Sequence, residues 1–322
     1  MSFNKSNPNT QRDEEISTIS GIQFGILSPE ETLKRSVVNI TEPTLYDPNG
    51  EPKLCGLFDP RMGVIERGKR CKTCQQSYVF CPGHFGHIEM ARPIFYVQFI
   101  LQIVQVLKIV CIRCSKLLIN KKSPFVQNLL KNTKCQDRLD ILVNKIKTKE
   151  CGCAGCSSNS NEDLETHLYN NNGCGAKQPS KITVNKSFEY ILVEWIETES
   201  AGSKKRDTKS QILTPEVILS IFKRISIEDC LVMGFSPEWA MPHWFICTYL
   251  PVAPPSVRPS VRMYNNQRSE DDITHKYNDI IKHNNILKDK INNKETPEEQ
   301  INQYSYLIQY HVATLIDNNT KG

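Results

Sequence analysis

No stretch of this sequence is apolar for long enough to cross a bilayer. The longest candidate, around Ile94 to Val110, is broken by Gln98, Gln102, Gln105 and Lys108, whereas a spanning helix needs about 20 mostly apolar residues. The opening MSFNKSNPNTQRDEE is polar and partly acidic, without the basic, apolar and small-residue order of a signal peptide. Neither sign of charge dominates: 40 Lys and Arg face 35 Asp and Glu, a net +5. So weak an excess permits nucleic-acid contact without demonstrating it. No D-x-D-x-D cluster occurs, which excludes a two-metal centre built from closely set carboxylates. Asp271 and Asp272 are adjacent, so they project apart on a helix, where acid at the first turn suits the dipole. The thirteen cysteines are not spread as a disulfide framework. They gather in short C-x-C and C-x2-C pairs, which fits metal-bound thiols in a reducing, intracellular compartment.

What remains is an ordinary globular composition, 39% hydrophobic and 23% charged over 322 residues, enough for two or three modules with a sizeable core. Residues 1–14 read as a disordered tail. Ile19, Ile22, Phe24 and Ile26 alternate with small or polar residues, which predicts a strand. Ser28-Pro29-Glu30-Glu31 then predicts a helix start with a capping box. Residues 42–70 are loop-rich, with Asn49-Gly50 and Asp59-Pro60 as turns. The dense apolar positions from Ile94 to Leu107 predict a buried helix. Ser157 to Gly173 reads as a mobile surface loop. Residues 182–196 alternate as strands, 201–210 as an exposed basic hairpin tip, and a helix follows Thr214-Pro215-Glu216.

The last seventy or so residues carry two apolar stripes at helical spacing. One holds Ile273, Tyr277, Ile280, Ile281, Leu287 and Ile291, and the other Ile301, Tyr304, Leu307, Ile308, Val312 and Leu315. Between them Thr296-Pro297-Glu298-Glu299 predicts a second capped start. Two such helices on a short linker should pair antiparallel, either as core packing or as a projecting coiled coil.

The chemistry-bearing run is CKTCQQSYVFCPGHFGH, residues 71–87. Cys71, Cys74, Cys81 and His84 form a C-x2-C-x6-C-x2-H pattern that closes a tetrahedron around zinc and leaves no open position, so the site should be structural. Its local fold should depend on metal, because binding energy becomes folding energy. Cys111 and Cys114 form a second C-x2-C pair. Cys151, Cys153, Cys156 and Cys174 follow, and any two of them complete a second site. Cys174 is favoured because its flanking glycines allow tight folding around an ion. Its companion stays open between Cys151 and Cys153, with Cys156 the weaker candidate. Cys55, Cys135, Cys230 and Cys247 stand alone and read as buried inert thiols.

Several ordered blocks carry a resemblance: GILSPEE (25–31), GLFDPRMGVIERGKRCKTC (56–74), CPGHFGHIEMARPIF (81–95), CIRCSKLL (111–118), GCGAKQP (173–179), PPSVRPSV (254–261), QRSEDDIT (267–274) and QYHVATLIDN (309–318). From about residue 20 onward the chain resembles the amino-terminal part of the largest subunit of multisubunit DNA-directed RNA polymerase, nearest the eukaryotic polymerase II type. The abundance of Asn, Lys and Ile points to an AT-rich genome, as in some protists and large DNA viruses. The resemblance implies an α+β clamp stapled by zinc. Residues 15–99 would be clamp core with the first zinc, 100–238 clamp head with the second, and 239–322 clamp core again with a helical hairpin at 271–316. It implies zinc ligation by Cys71, Cys74, Cys81 and His84, and by Cys111, Cys114, Cys174 and either Cys151 or Cys153. His87 would be a hydrogen-bonded structural residue.

The resemblance also implies what this chain would do. It would help close a mobile clamp over DNA and the RNA–DNA hybrid. Its partners would be the second-largest subunit, other polymerase subunits and initiation and elongation factors, with no membrane. Arg258, Arg262 and Arg268 are the candidate phosphate contacts, with salt bridges to Glu270 and Asp271 as their alternative use. The family's NADFDGD-like magnesium motif is absent, and the matched blocks stop before the family's lid and rudder. The chain is therefore expected to be an amino-terminal piece of a larger subunit or one product of a split gene. It would lack the catalytic site and belong to an enzyme only as part of a complex, with Mg2+ held elsewhere. Expected location is the nucleus for a cellular protein, and a viral factory in the cytoplasm or the virion for a viral one. The alternative is a stand-alone zinc-dependent protein-interaction module. A stand-alone DNA binder would carry a more basic face.

Overall fold

Two hydrophobic cores organise the chain, and one antiparallel strand pair runs through both. The computed structural model describes residues 18–146, 150–152, 173–185, 188, 190–197, 207–262, 268–293 and 295–318. The tail 1–14, nearly all of the insert from Ser157 to Gly173, and residues 201–206 of the basic loop lie outside these.

Helix α1 (Pro29–Arg35) starts as its sequence predicts. Ser28 Oγ accepts from Glu31 N at 3.0 Å, and Glu31 Oε2 accepts from Ser28 N at 3.4 Å. A cap of this kind contributes about 0.5–2 kcal/mol. The strand predicted just before it does not form. No strand among the described residues pairs with 18–27, and Ile19 and Phe24 remain 87% and 85% exposed. Alternation marks a strand only where a sheet edge receives it.

Strand β1 (Gly86–Phe95) leads through a 3-10 turn at Val97–Phe99 into α2 (Ile100–Ile109). The predicted helix thus begins later than Ile94, because Ile94 and Phe95 belong to the strand. Helices α3 (Pro124–Asn132) and α4 (Cys135–Lys145) follow, α3 capped by Ser123 Oγ accepting from Val126 N. Strands β2 (Lys181–Val184), β3 (Ile191–Glu197) and β4 (Asp207–Leu213) make an antiparallel meander in that order. The end of the expected basic loop is therefore strand, paired from Glu197↔Asp207 onward. Helices α5 (Pro215–Lys223) and α6 (Ile227–Met233) then pack on the same core, and Gly234 ends α6 at φ +93°. A Cβ on Gly234 would lie 2.0 Å from Cys135 O, so glycine is required there for both reasons.

Strand β5 (Ile246–Val252) pairs antiparallel with β1. Short strands β6 (Val261–Arg262) and β7 (Arg268–Ser269) pair with each other. The chain ends in α7 (Asp272–Asn292) and α8 (Glu298–Ile316), an antiparallel pair. Asp271 caps α7, its side chain accepting from Ile273 N at 2.8 Å. The capping predicted for Thr296 does not occur: Pro297 takes the cap position, with no side-chain hydrogen bond. None of these helices is long and apolar enough to cross a membrane among the described residues.

The first core runs from Phe95 through α2–α6 to Ile246, and includes Ile103, Leu107, Val126, Leu142, Val193 and Phe222. The second joins Val38, Ile40, Leu57 and Met62 to Ile88, Ile94, Cys247, Leu250 and the hairpin residues Tyr277, Ile280, Ile281, Leu287, Ile308 and Val312. Ile94 and Phe95 belong to different cores, as do Ile246 and Cys247, because successive strand side chains point to opposite faces. Most of the hairpin stripes thus pack as core, while Ile273 and Ile291 near the ends of α7 and Leu307 within α8 stay exposed.

Register in β1–β5 shifts between Glu89↔Tyr249 and Ile94↔Cys247. Hairpin carboxamides add backbone bonds along β1, within the gap at Ala91 and beyond it at Phe95, which the ladder pairs with Ile246. Asn284 Oδ1 accepts from Ala91 N and its Nδ2 donates to Glu89 O, both at 2.8 Å. Gln309 does the same for both backbone groups of Phe95. Buried backbone groups need such partners.

Candidate metal centres

Both C-x2-C pairs fold into the same turn. In the first, Cys71 N donates to Gln76 O at 3.0 Å, Gln75 N donates to Cys71 O at 3.0 Å, and Arg70 bridges Ser77. In the second, Cys111 N donates to Lys116 O at 2.9 Å, Ser115 N donates to Cys111 O at 2.9 Å, and Val110 bridges Leu117. The fourth residue after the leading cysteine is left-handed in each, Gln75 and Ser115 both at φ +60°. This tight turn directs two thiols at one point.

A second loop completes the first centre. Cys81 N donates to Ser77 O at 2.9 Å and His84 N to Met62 O at 2.8 Å, which brings Cys81 Sγ and His84 Nε2 to 3.8 Å. Gly83 between them has φ +83°, and a Cβ there would meet Pro254 Cβ at 2.7 Å. The PPSVRPSV segment therefore packs directly on this loop. Ligand atoms of Cys71, Cys74, Cys81 and His84 all lie within 4.8 Å of one another.

The second centre closes through a chain pairing across the long insert. Cys151 N donates to Ala176 O at 2.9 Å and Gly175 N to Cys151 O at 2.8 Å, and Glu150 bridges Lys177. Gly175 has φ +72°, the tight folding expected of the Gly-Cys-Gly run. The four thiols of Cys111, Cys114, Cys151 and Cys174 come within 4.8 Å of one another. Cys111–Cys174 and Cys114–Cys151 are each 3.6 Å apart. Four sulfurs placed tetrahedrally at about 2.3 Å from zinc would stand about 3.8 Å apart, so the spacing suits that ion. Of the two open candidates, Cys151 joins the cluster; Cys153 and Cys156 lie outside the described residues.

Burial and hydrogen bonding pull the thiols in opposite directions. Hydrogen bonding to His84 draws the Cys74 thiol down to about 6, while burial pushes Cys81 up to about 11. In the second centre burial opposes ionisation of Cys111, but the backbone N–H groups of Cys114 and Arg113 outweigh it and bring the thiol to about 7. Burial pushes Cys151 well up. Burial thus opposes ionisation of Cys81 and Cys151 in the absence of an ion. A divalent ion supplies the charge that a full set requires. Gln178 Nε2 donates to Cys111 Sγ at 3.3 Å. Sequence reasoning missed that residue, although it stands four positions after Cys174 in GCGAKQP.

The remaining candidates fall as follows. Cys230 and Cys247 are buried, as expected of inert thiols, but Cys55 is half-buried beside Arg61 and Cys135 is exposed at the start of α4. His87 lies outside both clusters, with Nδ1 2.7 Å from Ser36 Oγ. Arg258 is a correction. Its side chain is fully buried, bonded to Leu57 O, to Ala253 O at 2.9 Å and to Thr274 Oγ1 at 3.2 Å, and it lies over the rings of Phe58 and Tyr277. Each of its three nitrogens donates within the fold, and the buried side chain is out of reach of a phosphate. Arg262 and Arg268 are register partners in β6–β7.

A domain with two four-ligand sulfur-rich centres, joined to an antiparallel helix pair, is what the sequence blocks anticipate. Residues 16–322 match the family described as RNA polymerase Rpb1, domain 1, and the chain therefore belongs to that family, part of the largest subunit of RNA polymerase.

Proposed function

We propose that this chain is the clamp portion of the largest subunit of a DNA-directed RNA polymerase, closing the cleft over DNA and the RNA–DNA hybrid during transcription. The repeated C-x2-C turn carries the reading: twice the fold sets four ligands at zinc spacing within a chain of the Rpb1 domain 1 family. Cys71, Cys74, Cys81 and His84 hold one Zn2+, and Cys111, Cys114, Cys151 and Cys174 hold the other. Each ion supplies cross-linking in place of core. Residues 42–85 contain no helix or extended strand, and such loop-rich segments gain most from a metal staple.

The division into clamp core (15–99 and 239–322) and clamp head (100–238) is supported by the two hydrophobic cores, which part at residues 94–95 and 246–247. Arg262 and Arg268 remain the candidates for sequence-independent, salt-sensitive phosphate contact. Magnesium chemistry would belong to carboxylates outside these 322 residues, in which no D-x-D-x-D cluster occurs. The expected partners are the second-largest subunit, other polymerase subunits and transcription factors.

Affinity purification of the native protein tests this reading. Recovery with a second-largest polymerase subunit and DNA-dependent RNA synthesis supports it. Recovery with unrelated proteins and no such subunit favours a stand-alone zinc-dependent interaction module.

A further inference from the structure

Between α7 and α8 two imidazoles lie face to face. The rings of His283 and His311 stack with centroids 4.8 Å apart and planes 23° from parallel. His283 Nδ1 donates to Asp279 O at 2.7 Å. His311 Nδ1 is buried without a hydrogen-bond partner among the described residues. An imidazolium carries a proton on both nitrogens. Charging His311 would thus bury an unsatisfied N–H donor and set a positive charge against a second histidine.

The surroundings offer little to offset that. From α7, the Asp279 carboxylate favours the charged ring and Lys276 opposes it. Lys276 Nζ donates to Thr314 Oγ1 at 3.1 Å, and Tyr310 stands edge-on to His311 at 5.9 Å. On β1, Glu89 is paired with Lys288, and Arg92 with Glu216 and Asn302. The pair also borders the hairpin's attachments to β1: Asn284 is next to His283, and Gln309 is two residues before His311.

We propose that the His283–His311 stack is a proton-operated joint, which holds the helical hairpin closed on β1 when neutral and loosens it on acidification. Burial, reinforced by His283, holds His311 below its ordinary value of 6.5. The packing is complete above that value and is lost as pH falls through the lower folded one.

Backbone hydrogen exchange over residues 272–316 tests the joint in the full chain, at about pH 7.5 and about pH 5.5 with zinc in excess, corrected for intrinsic exchange rates. Protection there should fall about tenfold relative to the first core. In His311→Phe, which keeps a stacked ring that cannot charge, it should hold. Equal loss in both proteins, or a loss spread evenly over both cores, overturns the proposal. Should that variant fail to fold, NMR titration of the imidazoles in the unsubstituted chain decides. Coupled titration with His311 below 6.5 supports the joint, and two independent ordinary titrations refute it.

Discussion

Gln309 mimics a neighbouring strand for Phe95. The Phe95 N–H donates to Gln309 Oε1 at 2.7 Å, and Gln309 Nε2 donates back to Phe95 O at 3.0 Å, across 214 residues of sequence. Both groups are buried, at the point where β1 passes from one core to the other. Gln309→Leu fills similar space but orphans two backbone groups. Unfolding by urea should show a loss of about 1–3 kcal/mol. A loss within error would mean that water or β5 substitutes for the amide.

Arg258 plays a matching part at the open end of the hairpin. It joins the zinc-loop side at Leu57 O to α7 at Thr274, with Phe58 and Tyr277 against its guanidinium. Burial pushes its pKa down to about 10, which still leaves it charged near neutral pH. Arg258→Met keeps volume but abandons two carbonyls, so a destabilisation of about 2–4 kcal/mol is expected from denaturant midpoints. Its effect on DNA affinity should vanish once folded fractions are equalised. A surviving change in the salt dependence of binding would restore it as a phosphate contact.

Legibility followed the range of the interactions. The capping box at Ser28, the α7–α8 pair and the two cysteine groups are local patterns, and all are present in the fold. Cys151 was not separable from Cys153 by spacing, because what selects it is its pairing with Ala176 across the insert. Arg258 looked like a surface cation among prolines. Only the burial partners from Leu57 and α7 reveal its use. Asn284 and Gln309 gave no signal at all, since a buried amide bonded to distant backbone reads in sequence as a solvated helix face.

Asp59 sets an acid limit on stability. Its fully buried carboxylate accepts from Cys55 N at 2.6 Å, Arg61 N at 2.9 Å and the Arg61 guanidinium at 2.7 Å. Burial opposes ionisation, but Arg61 and the backbone donors win and hold the carboxyl below its ordinary value of 3.8. Its contribution is therefore complete above that value and is lost as pH falls through the lower folded one. Asp59→Asn should be less stable by about 1–3 kcal/mol at neutral pH, and the gap should narrow toward about pH 3. Taking the difference between the two proteins at each pH removes acid effects common to both. A gap that stays constant would show that the amide loses shape fit alone, with no ionic contribution.

The two metal centres should unload separately. They use no common ligand and sit on different cores: Leu57 and Met62 beside the first belong to one, Cys111 and Cys151 to the other. Native protein should carry about two zinc ions per chain. Cys71→Ser and Cys111→Ser should each remove about one, measured by a chromogenic assay after denaturation. Gln178→Ala should keep its zinc but bind it about 10–100-fold more weakly in chelator competition, because the Cys111 thiolate loses an N–H donor. The first centre needs Cys81 ionised against a free thiol pKa of about 11, so its affinity should fall as pH falls. Loss of both ions from either single cysteine variant would mean that the lobes fold as one metal-dependent unit, despite their separate cores.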